Sequence, residues 1–221
     1  MGNHSTPHLV WDWNGTLLHD TEAVVAATNA AFAELGLAPL TLERYRDTYC
    51  VPIPRFYERL LGRVPSQEEW LVMDDTFHRH YTERLAACRL ADGAEVLLEG
   101  WQSAGRTQSL LSMAGHEQLV PLVTGFGIAE RFVRVDGRRG PSGGSKAAHL
   151  VRHLRALDGV APERTVVVGD VLDDAVAARE AGAHAVLHTG GSQSRRSLAR
   201  GGVPVVDTLD EAVALALELA S

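Results

Sequence analysis

Residues 8–18 read His8-Leu9-Val10-Trp11-Asp12-Trp13-Asn14-Gly15-Thr16-Leu17-Leu18. A short apolar run ends abruptly at Asp12, and Asn14-Gly15 then interrupts the strand pattern. In an open parallel α/β sheet, the residues at the carboxyl ends of the strands line the ligand crevice, which makes Asp12 a candidate reactive group. Surface strands also end in Asp, and Asn-Gly is the commonest turn dipeptide, so these residues alone support a turn and a catalytic role equally.

The composition fits one medium-sized domain, or a domain with a smaller insert: 221 residues, 45% hydrophobic and 22% charged. The net charge of -7 argues against a nucleic-acid binder, which normally presents a basic face. No apolar run approaches the ~20 residues of a membrane span, and residues 1–6 lack an apolar signal core. Two cysteines, Cys50 and Cys88, fit a reducing cytoplasm. We therefore predict a cytoplasmic protein without a nucleic-acid or membrane partner.

The order of elements predicts the fold. From Asp20 to about Leu90 the apolar residues have helical spacing and no strand pattern is visible. Beyond Asp92-Gly93, short strands alternate with helices, which is typical of a parallel, doubly wound sheet. Strands are predicted over 107–112, 132–135, 165–168, 183–187 and 203–206, and helices over 21–35, 56–61, 66–87, 94–103, 116–126, 146–157, 174–181 and 209–219. The prediction is an α/β core of residues 1–19 and 91–221 with an inserted helical cap of residues 20–90.

Several side chains are predicted to have structural roles. Ser66, with Glu69 three residues later, predicts a capping box at the start of a helix. His149 and His153 share a helix face but have no third ligand nearby, so a solvated surface is favoured over a metal site. Aromatic residues at helical spacing predict core packing within the insert: Phe56, Tyr57, Phe77 and Tyr81.

Candidate reactive residues end three predicted strands: Asp12, Ser112 and Asp170, which should lie along one edge of the sheet. Lys146, the single lysine among 21 basic residues, begins a helix that must return to the same sheet. Asp174 follows soon after Asp170, and crowded carboxylates require a cation. Oxygen ligands without His or Cys indicate Mg²⁺. A hydroxyl, an ammonium and Mg²⁺ around a carboxylate are the components of a phosphoryl-transfer site.

These motifs resemble the haloacid dehalogenase superfamily over nearly the whole chain. Its Asp-x-Asp-Gly-Thr motif is matched by residues 12–16, its strand-ending Ser or Thr by Ser112, and its Lys by Lys146. Residues 169–174 match Gly-Asp-x-x-x-Asp, and the insert resembles the family's α-helical cap. Residues 191–194 and 204–207 look most like the phosphoglycolate-phosphatase-like branch.

The resemblance implies roles for the matching residues. Asp12 would attack phosphorus and form an aspartyl-phosphate, and Mg²⁺ would be held by Asp12, the backbone carbonyl of Asn14, and Asp170, with support from Asp174. Thr16 would order the first loop, while Ser112 and Lys146 would hold the phosphoryl oxygens. Asp173 stays ambiguous between this site and a helix cap. In the cap, Arg55 and Tyr57 are candidates for substrate contact.

Position 14 departs from the family pattern. The family's phosphatases use a second Asp there as general acid and base, whereas Asn14 cannot exchange a proton near neutral pH. Three consequences are possible. The enzyme favours substrates with good leaving groups, such as acyl or aryl phosphates; another group, such as His19, replaces the missing acid; or turnover is weakened. Deamidation of Asn14-Gly15 would restore a carboxylate.

The sequence thus predicts a Mg²⁺-dependent phosphatase acting on a small phosphate ester. A phosphonatase- or mutase-like phosphotransferase and a catalytically weakened phosphate-binding protein are the alternatives. The sequence leaves the substrate unnamed and does not decide between a monomer and a homodimer.

Overall fold

The computed structural model describes residues 6–140 and 145–220. The strands are β1 (His8–Trp11), β2 (Leu18–His19), β3 (Arg89–Leu90), β4 (Thr107–Gly115), β5 (Val135–Arg138), β6 (Thr165–Gly169), β7 (His184–His188) and β8 (Val205–Val206). The helices are α1 (Thr21–Glu34), α2 (Leu42–Thr48), α3 (Ile53–Leu61), α4 (Gln67–Leu85), α5 (Ala94–Ser103), α6 (His116–Gly125), α7 (Lys146–Arg155), α8 (Leu172–Ala181), α9 (Arg195–Leu198) and α10 (Leu209–Leu219). None of these described helices is long and apolar enough to cross a membrane.

A parallel sheet of six strands forms the core of the described chain, in the order β5-β4-β1-β6-β7-β8. β1 lies between β4 and β6, with His8 opposite both Thr107 and Thr165. Leu9, Val10 and Trp11 are fully buried, because a central parallel strand is covered by helices on both faces. The predicted α/β class and parallel sheet are confirmed, and Asp12 directly follows β1, which is paired on both sides.

Helices α1–α4 lie between β2 and β3, which pair antiparallel through Leu18 and Leu90. These helices enclose a hydrophobic cluster of their own, formed by Ala31, Phe32, Leu40, Tyr45, Phe56, Tyr57, Leu60 and Met73. The predicted packing of Phe56 and Tyr57 is confirmed, and so is the Ser66–Glu69 capping box. The domain boundaries at residues 20 and 90 stay a prediction, and we call helices α1–α4 the cap.

Two strand predictions were wrong by three residues at a boundary, and the strand predicted over 203–206 covers only Val205–Val206. β4 does not end at Ser112 but continues to Gly115, with a shift in its register against β5 between Leu111 and Gly115. β5 begins at Val135, at the end of the predicted range 132–135. The apolar run from Phe132 suggested the strand, but it follows a 3₁₀ turn at Ala129–Arg131, and β5 pairs with β4 alone in the described sheet. An edge strand tolerates polar residues such as Asp136. The apolar pattern used to predict strands therefore did not detect β5.

The prediction that His153 lies on a solvated surface was wrong. Its ring is buried, with Nδ1 2.7 Å from Oδ2 of Asp136 and Nε2 2.8 Å from Oγ of Ser109. Ser109 Oγ is also 2.8 Å from Nε2 of His8, whose pKa is lowered to about 4 by burial and by the neighbouring His153. This chain of hydrogen bonds ties α7 to β1, β4 and β5. It therefore fixes the helix that begins at Lys146.

Candidate active site

Asp12 is held at the end of the central strand. Its backbone N–H donates to the carbonyl of Val168 in β6 at 2.9 Å, and its side chain is buried. The ammonium of Lys146, the first residue of α7, pairs with the carboxylates of both Asp12 and Asp174. Burial raises the pKa of Asp12 to about 7, although the Lys146 charge opposes that shift. The packing of the start of α7 beside the end of β1 thus brings the single lysine of the chain into contact with the candidate nucleophile.

Three buried carboxylates form one cluster. An oxygen atom from each of Asp12, Asp170 and Asp174 lies within 4.8 Å of the others. Burial, together with the negative charges of Asp12 and Asp174, raises the pKa of Asp170 well above its ordinary value. Burial disfavours the charged form of Lys146, but its ion pairs with Asp12 and Asp174 favour that form more strongly. The pKa of Lys146 therefore lies above its ordinary value. One ammonium faces three carboxylates, so the cluster has a deficit of positive charge that a divalent cation would supply.

The start of α8 is organised by Asp174. Its Oδ2 accepts the backbone N–H groups of Asp170 and Val171, both at 3.2 Å, which orients the loop after β6. Asp173 lies in the first turn of the helix and lines a cavity between the cap and α8. The carboxylate that binds backbone N–H groups at this helix start is therefore that of Asp174.

Two glycines allow the backbone to approach Asp170. Gly15 has a φ of 70°, and a Cβ there would overlap the Asp170 carboxylate; a Cβ at Gly191 would overlap it as well. Thr16 donates its hydroxyl to Asp170 Oδ1 at 3.3 Å, and the N–H of Ser192 donates to Oδ2. Side chains larger than hydrogen at these two positions would displace the carboxylate.

Asn14 is held by two residues that the sequence did not single out for the site. Its Nδ2 donates to Asp20 Oδ2 at 2.7 Å and to the hydroxyl of Tyr81 at 2.8 Å. Tyr81 donates to the same carboxylate oxygen at 2.6 Å, and burial and the Asp20 charge raise the pKa of Tyr81. The prediction that Tyr81 packs in the core of the insert was wrong, because Tyr81 is half-buried and lies outside the cap's hydrophobic cluster. His19, the suggested substitute acid, is exposed on β2 opposite Arg89.

Other candidates from the sequence have separate positions. Ser112 is buried in β4, the strand beside β1, and its hydroxyl accepts the N–H of Ala114 at 3.0 Å. Tyr57 packs inside the cap against Phe32 and Trp70, which excludes it from a substrate-facing position, and Arg55 is exposed.

The cap rests on the loop between β7 and α9. Arg46 donates to the carbonyls of Gly190 and Gly191 at 2.9 and 2.8 Å, and its own carbonyl accepts the N–H of Ser194 at 3.0 Å. Gln193 donates to the carbonyl of Tyr49 at 2.8 Å. Sequence reasoning missed the contacts of Arg46, which belongs to no motif, and gave Gln193 no role beyond its place in the run 191–194; the partners of both are backbone atoms.

Comparison with known proteins relates the chain to one family. A family model described as haloacid dehalogenase-like hydrolase matches residues 6–182. The chain is 29% identical over 195 residues to a phosphoglycolate phosphatase of Cereibacter sphaeroides, covering 84% of this chain and 86% of that protein. It is 23% identical to a 5'-nucleotidase of Pseudomonas aeruginosa, covering 80% and 79%. A solved haloacid dehalogenase-like hydrolase of Streptococcus pneumoniae superposes with a TM-score of 0.79 at 20% identity, covering 96% and 98%, which concerns the fold alone.

Proposed function

The chain belongs to the haloacid dehalogenase-like hydrolases and is a phosphatase of that family, and we propose that it removes phosphate from a small phosphorylated metabolite with Mg²⁺ and an aspartyl-phosphate on Asp12. The observation that carries this proposal is the buried cluster of Asp12, Asp170 and Asp174 with Lys146 paired to two of them. Such a cluster has no evident structural purpose, because uncompensated buried charges destabilise a fold.

The donor set fits Mg²⁺. Oxygen atoms of Asp12, Asp170 and Asp174 lie together, and hard oxygen donors are those that Mg²⁺ prefers. The backbone carbonyl of Asn14 is the further ligand that the family resemblance implies. Burial raises the pKa values of Asp12 and Asp170, and the single ammonium of Lys146 does not balance the charge of three carboxylates. When bound, Mg²⁺ would neutralise negative charge on the phosphoryl group.

Four residues of this chain have roles in the proposed reaction. A carboxylate oxygen of Asp12 attacks phosphorus, the bond from phosphorus to the leaving oxygen breaks, and water then attacks phosphorus to regenerate the carboxylate and release phosphate. Lys146 would hold a phosphoryl oxygen. Ser112 would hold another; it lies on β4 two residues beyond Leu110, which pairs with Trp11, the residue before Asp12. Thr16 keeps Asp170 in place through its hydroxyl.

The substrate is proposed to be a small phosphate ester. Phosphoglycolate is one candidate because several relatives are phosphoglycolate phosphatases, including proteins from Cereibacter sphaeroides and Thiobacillus denitrificans. The cap lies directly on the loops of the site, which supports a compact substrate. A cytoplasmic location stays a prediction.

Asn14 favours a second candidate, a phosphate-binding protein with weakened turnover. An amide cannot donate and retrieve a proton, and general acid–base help typically contributes about 10²–10⁴-fold. A phosphonatase- or mutase-like phosphotransferase is the other alternative within the family's chemistry.

The test is release of inorganic phosphate from p-nitrophenyl phosphate, acetyl phosphate and phosphoglycolate, with and without Mg²⁺. We expect Mg²⁺-dependent release that Asp12→Asn abolishes and that the control Asp158→Asn, at an exposed position, leaves unchanged. Release that survives Asp12→Asn would refute the proposal. Phosphate binding without release would favour the second candidate.

A further inference from the structure

A chain of hydrogen-bonded side chains ties α7 to the sheet beside the amino end of β1, and we call it the anchor. Nδ1 of His8 lies 2.7 Å from Oγ1 of Thr107, and its Nε2 lies 2.8 Å from Oγ of Ser109. The same Oγ is 2.8 Å from Nε2 of His153, whose Nδ1 is 2.7 Å from Oδ2 of Asp136. Ser109, which is fully buried, therefore has an imidazole on each side but only one hydrogen to donate.

Asp136 sets the direction of the hydrogen bonds in the anchor. Burial alone would raise the pKa of its carboxyl, but the hydrogen bonds from His153 and Arg134 lower that pKa well below its ordinary value. The group is therefore a carboxylate, which only accepts, so Nδ1 of His153 must carry a hydrogen. In a neutral His153 ring, Nε2 then has a lone pair and accepts the hydroxyl hydrogen of Ser109.

The same reasoning fixes the neutral form of His8. Ser109 donates its hydrogen to His153, so Nε2 of His8 must carry a hydrogen and donate it to the Ser109 oxygen. Nδ1 of His8 then accepts from the hydroxyl of Thr107. Each contact joins one donor to one acceptor while both rings are uncharged.

One added proton gives a second complete pattern. When His153 is an imidazolium, both of its nitrogens donate, so Ser109 accepts from Nε2 and turns its own hydrogen toward His8. Nε2 of His8 becomes an acceptor, and its Nδ1 now carries the hydrogen and donates to Thr107. His8 thus stays neutral but changes its tautomer. A second proton, on His8, would direct two donors at one hydroxyl and place two cations on either side of it.

The charged groups at the two ends of the anchor favour the first proton and oppose the second. His153 faces the carboxylate of Asp136, which also pairs with Arg134 of β5. At the other end, burial and the neighbouring His153 lower the pKa of His8 to about 4. A proton is therefore held better on the ring beside the carboxylate than on the ring in β1.

The remaining neighbours of α7 do not compete for this proton. His149 lies one turn before His153, and burial and the charges of Arg152 and Arg138 lower its pKa against the opposing effect of Asp136. Arg152 is exposed. Helix α8, which packs against α7, contributes apolar side chains to their shared cluster: Ala175, Ala177 and Ala178.

We propose that Ser109 joins His8 and His153 into a relay that takes up one proton and keeps every hydrogen bond of the anchor. A proton from solvent binds Nδ1 of His8 at the half-buried end beside Thr107. The Nε2 hydrogen of His8 passes to the oxygen of Ser109, and the hydroxyl hydrogen of Ser109 passes to Nε2 of His153. The positive charge ends beside Asp136, and His8 is neutral again in its other tautomer.

The relay bears on the candidate active site because Lys146 is the first residue of α7. A proton that broke a hydrogen bond of the anchor would leave a buried polar atom without a partner, which destabilises the packing of the helix. Because both patterns are complete, α7 and its lysine keep their position while the first proton enters or leaves. The anchor fails only at the second proton, which must stay on His8.

The test follows the imidazole nitrogen chemical shifts of both rings by NMR, from about pH 8 to about pH 5. The signals are assigned by their loss in His8→Gln and His153→Gln. We expect both nitrogens of His153 to become protonated while the His8 hydrogen moves from Nε2 to Nδ1 with the same midpoint. A His8 ring that keeps its hydrogen on Nε2, or that becomes charged before His153, would overturn the relay. So would two rings that remain unchanged over this range.

The matched variant is Ser109→Ala, which removes the shared hydroxyl and retains both imidazoles. In this variant His153 should still gain a proton, whereas the tautomer of His8 should no longer change at that midpoint. The control His149→Gln removes another imidazole of α7, one that contacts Arg152, and should leave the coupled change intact. Coupling that persists in Ser109→Ala would refute the role of the hydroxyl. If this variant does not fold, the wild-type titration alone decides the proposal.

Discussion

Replacing Asn14 with Asp should convert the site to one that turns over alkyl phosphates. The Asn14 nitrogen lies 2.7 Å from Oδ2 of Asp20, so the variant places two carboxylates at about this separation. Two full charges there would repel by about 6 kcal/mol at an effective dielectric of about 20. The pair must therefore retain a proton at neutral pH, beside the candidate nucleophile loop.

The expected gain is about 10²-fold or more in kcat for ethyl phosphate, with little change for acetyl phosphate, since only the alkoxide needs the proton. Phosphate release at neutral pH with Mg²⁺ measures both rates. Asn14→Ala is the matched control, because it removes the amide without supplying an acid. Intact-mass analysis would establish that the wild-type protein has not deamidated to the same residue. An equal gain on both substrates, or an equal gain in Asn14→Ala, would refute the reasoning.

Three further perturbations test other parts of the structure. Lys146→Met leaves buried acids unpaired, so phosphate release should be lost and the free energy of unfolding, from urea denaturation, should fall by about 3–5 kcal/mol. Gly15→Ala would force a Cβ against Asp170, so the far-ultraviolet circular dichroism should be kept while Mg²⁺ no longer raises the melting temperature; a persisting shift would contradict this. The pKa of His8 is lowered from 6.5 to about 4 by burial, so the unfolded chain binds more protons between these values. As the pH falls through this window, His8 should lower the free energy of unfolding by about 3 kcal/mol. His8→Gln should remove that contribution and leave the one from His188, whose pKa burial also lowers to about 4.

The sequence predicted the residues whose position follows from topology alone. Asp12 and Asp170 come directly after neighbouring parallel strands, and Lys146 begins a helix that packs on the same sheet. In a parallel sheet, residues that directly follow the strands lie at the same edge, and this does not depend on how the side chains pack. Their assembly into one buried cluster follows from that rule, while their chemical roles stay a proposal.

The residues that sequence reasoning missed depend on tertiary packing. Tyr81 has the helical spacing of a core residue, and only the seating of α4 over the first loop turns its hydroxyl toward Asp20. His153 resembled a surface residue because its partners, Asp136 and Ser109, lie on strands that periodicity does not connect to α7. Asp20 was not singled out, because an acid directly before a helix is the usual pattern of an N-cap and does not indicate a contact at the site.

The cap makes hydrogen bonds to both loops around the carboxylate cluster, so a movement of the cap that opens the site would also remove the support of these loops. Ser192, whose N–H binds Asp170, is next to Gly191, whose carbonyl accepts from Arg46 of the cap. On the other side, Tyr81 of the cap contacts both Asn14 and the Asp20 carboxylate that holds the first loop. A movement of the cap that admits substrate must therefore break bonds to both loops around the carboxylate cluster. The loops regain that support only when the cap is seated again, so the geometry of the site depends on closure as well as on the sheet.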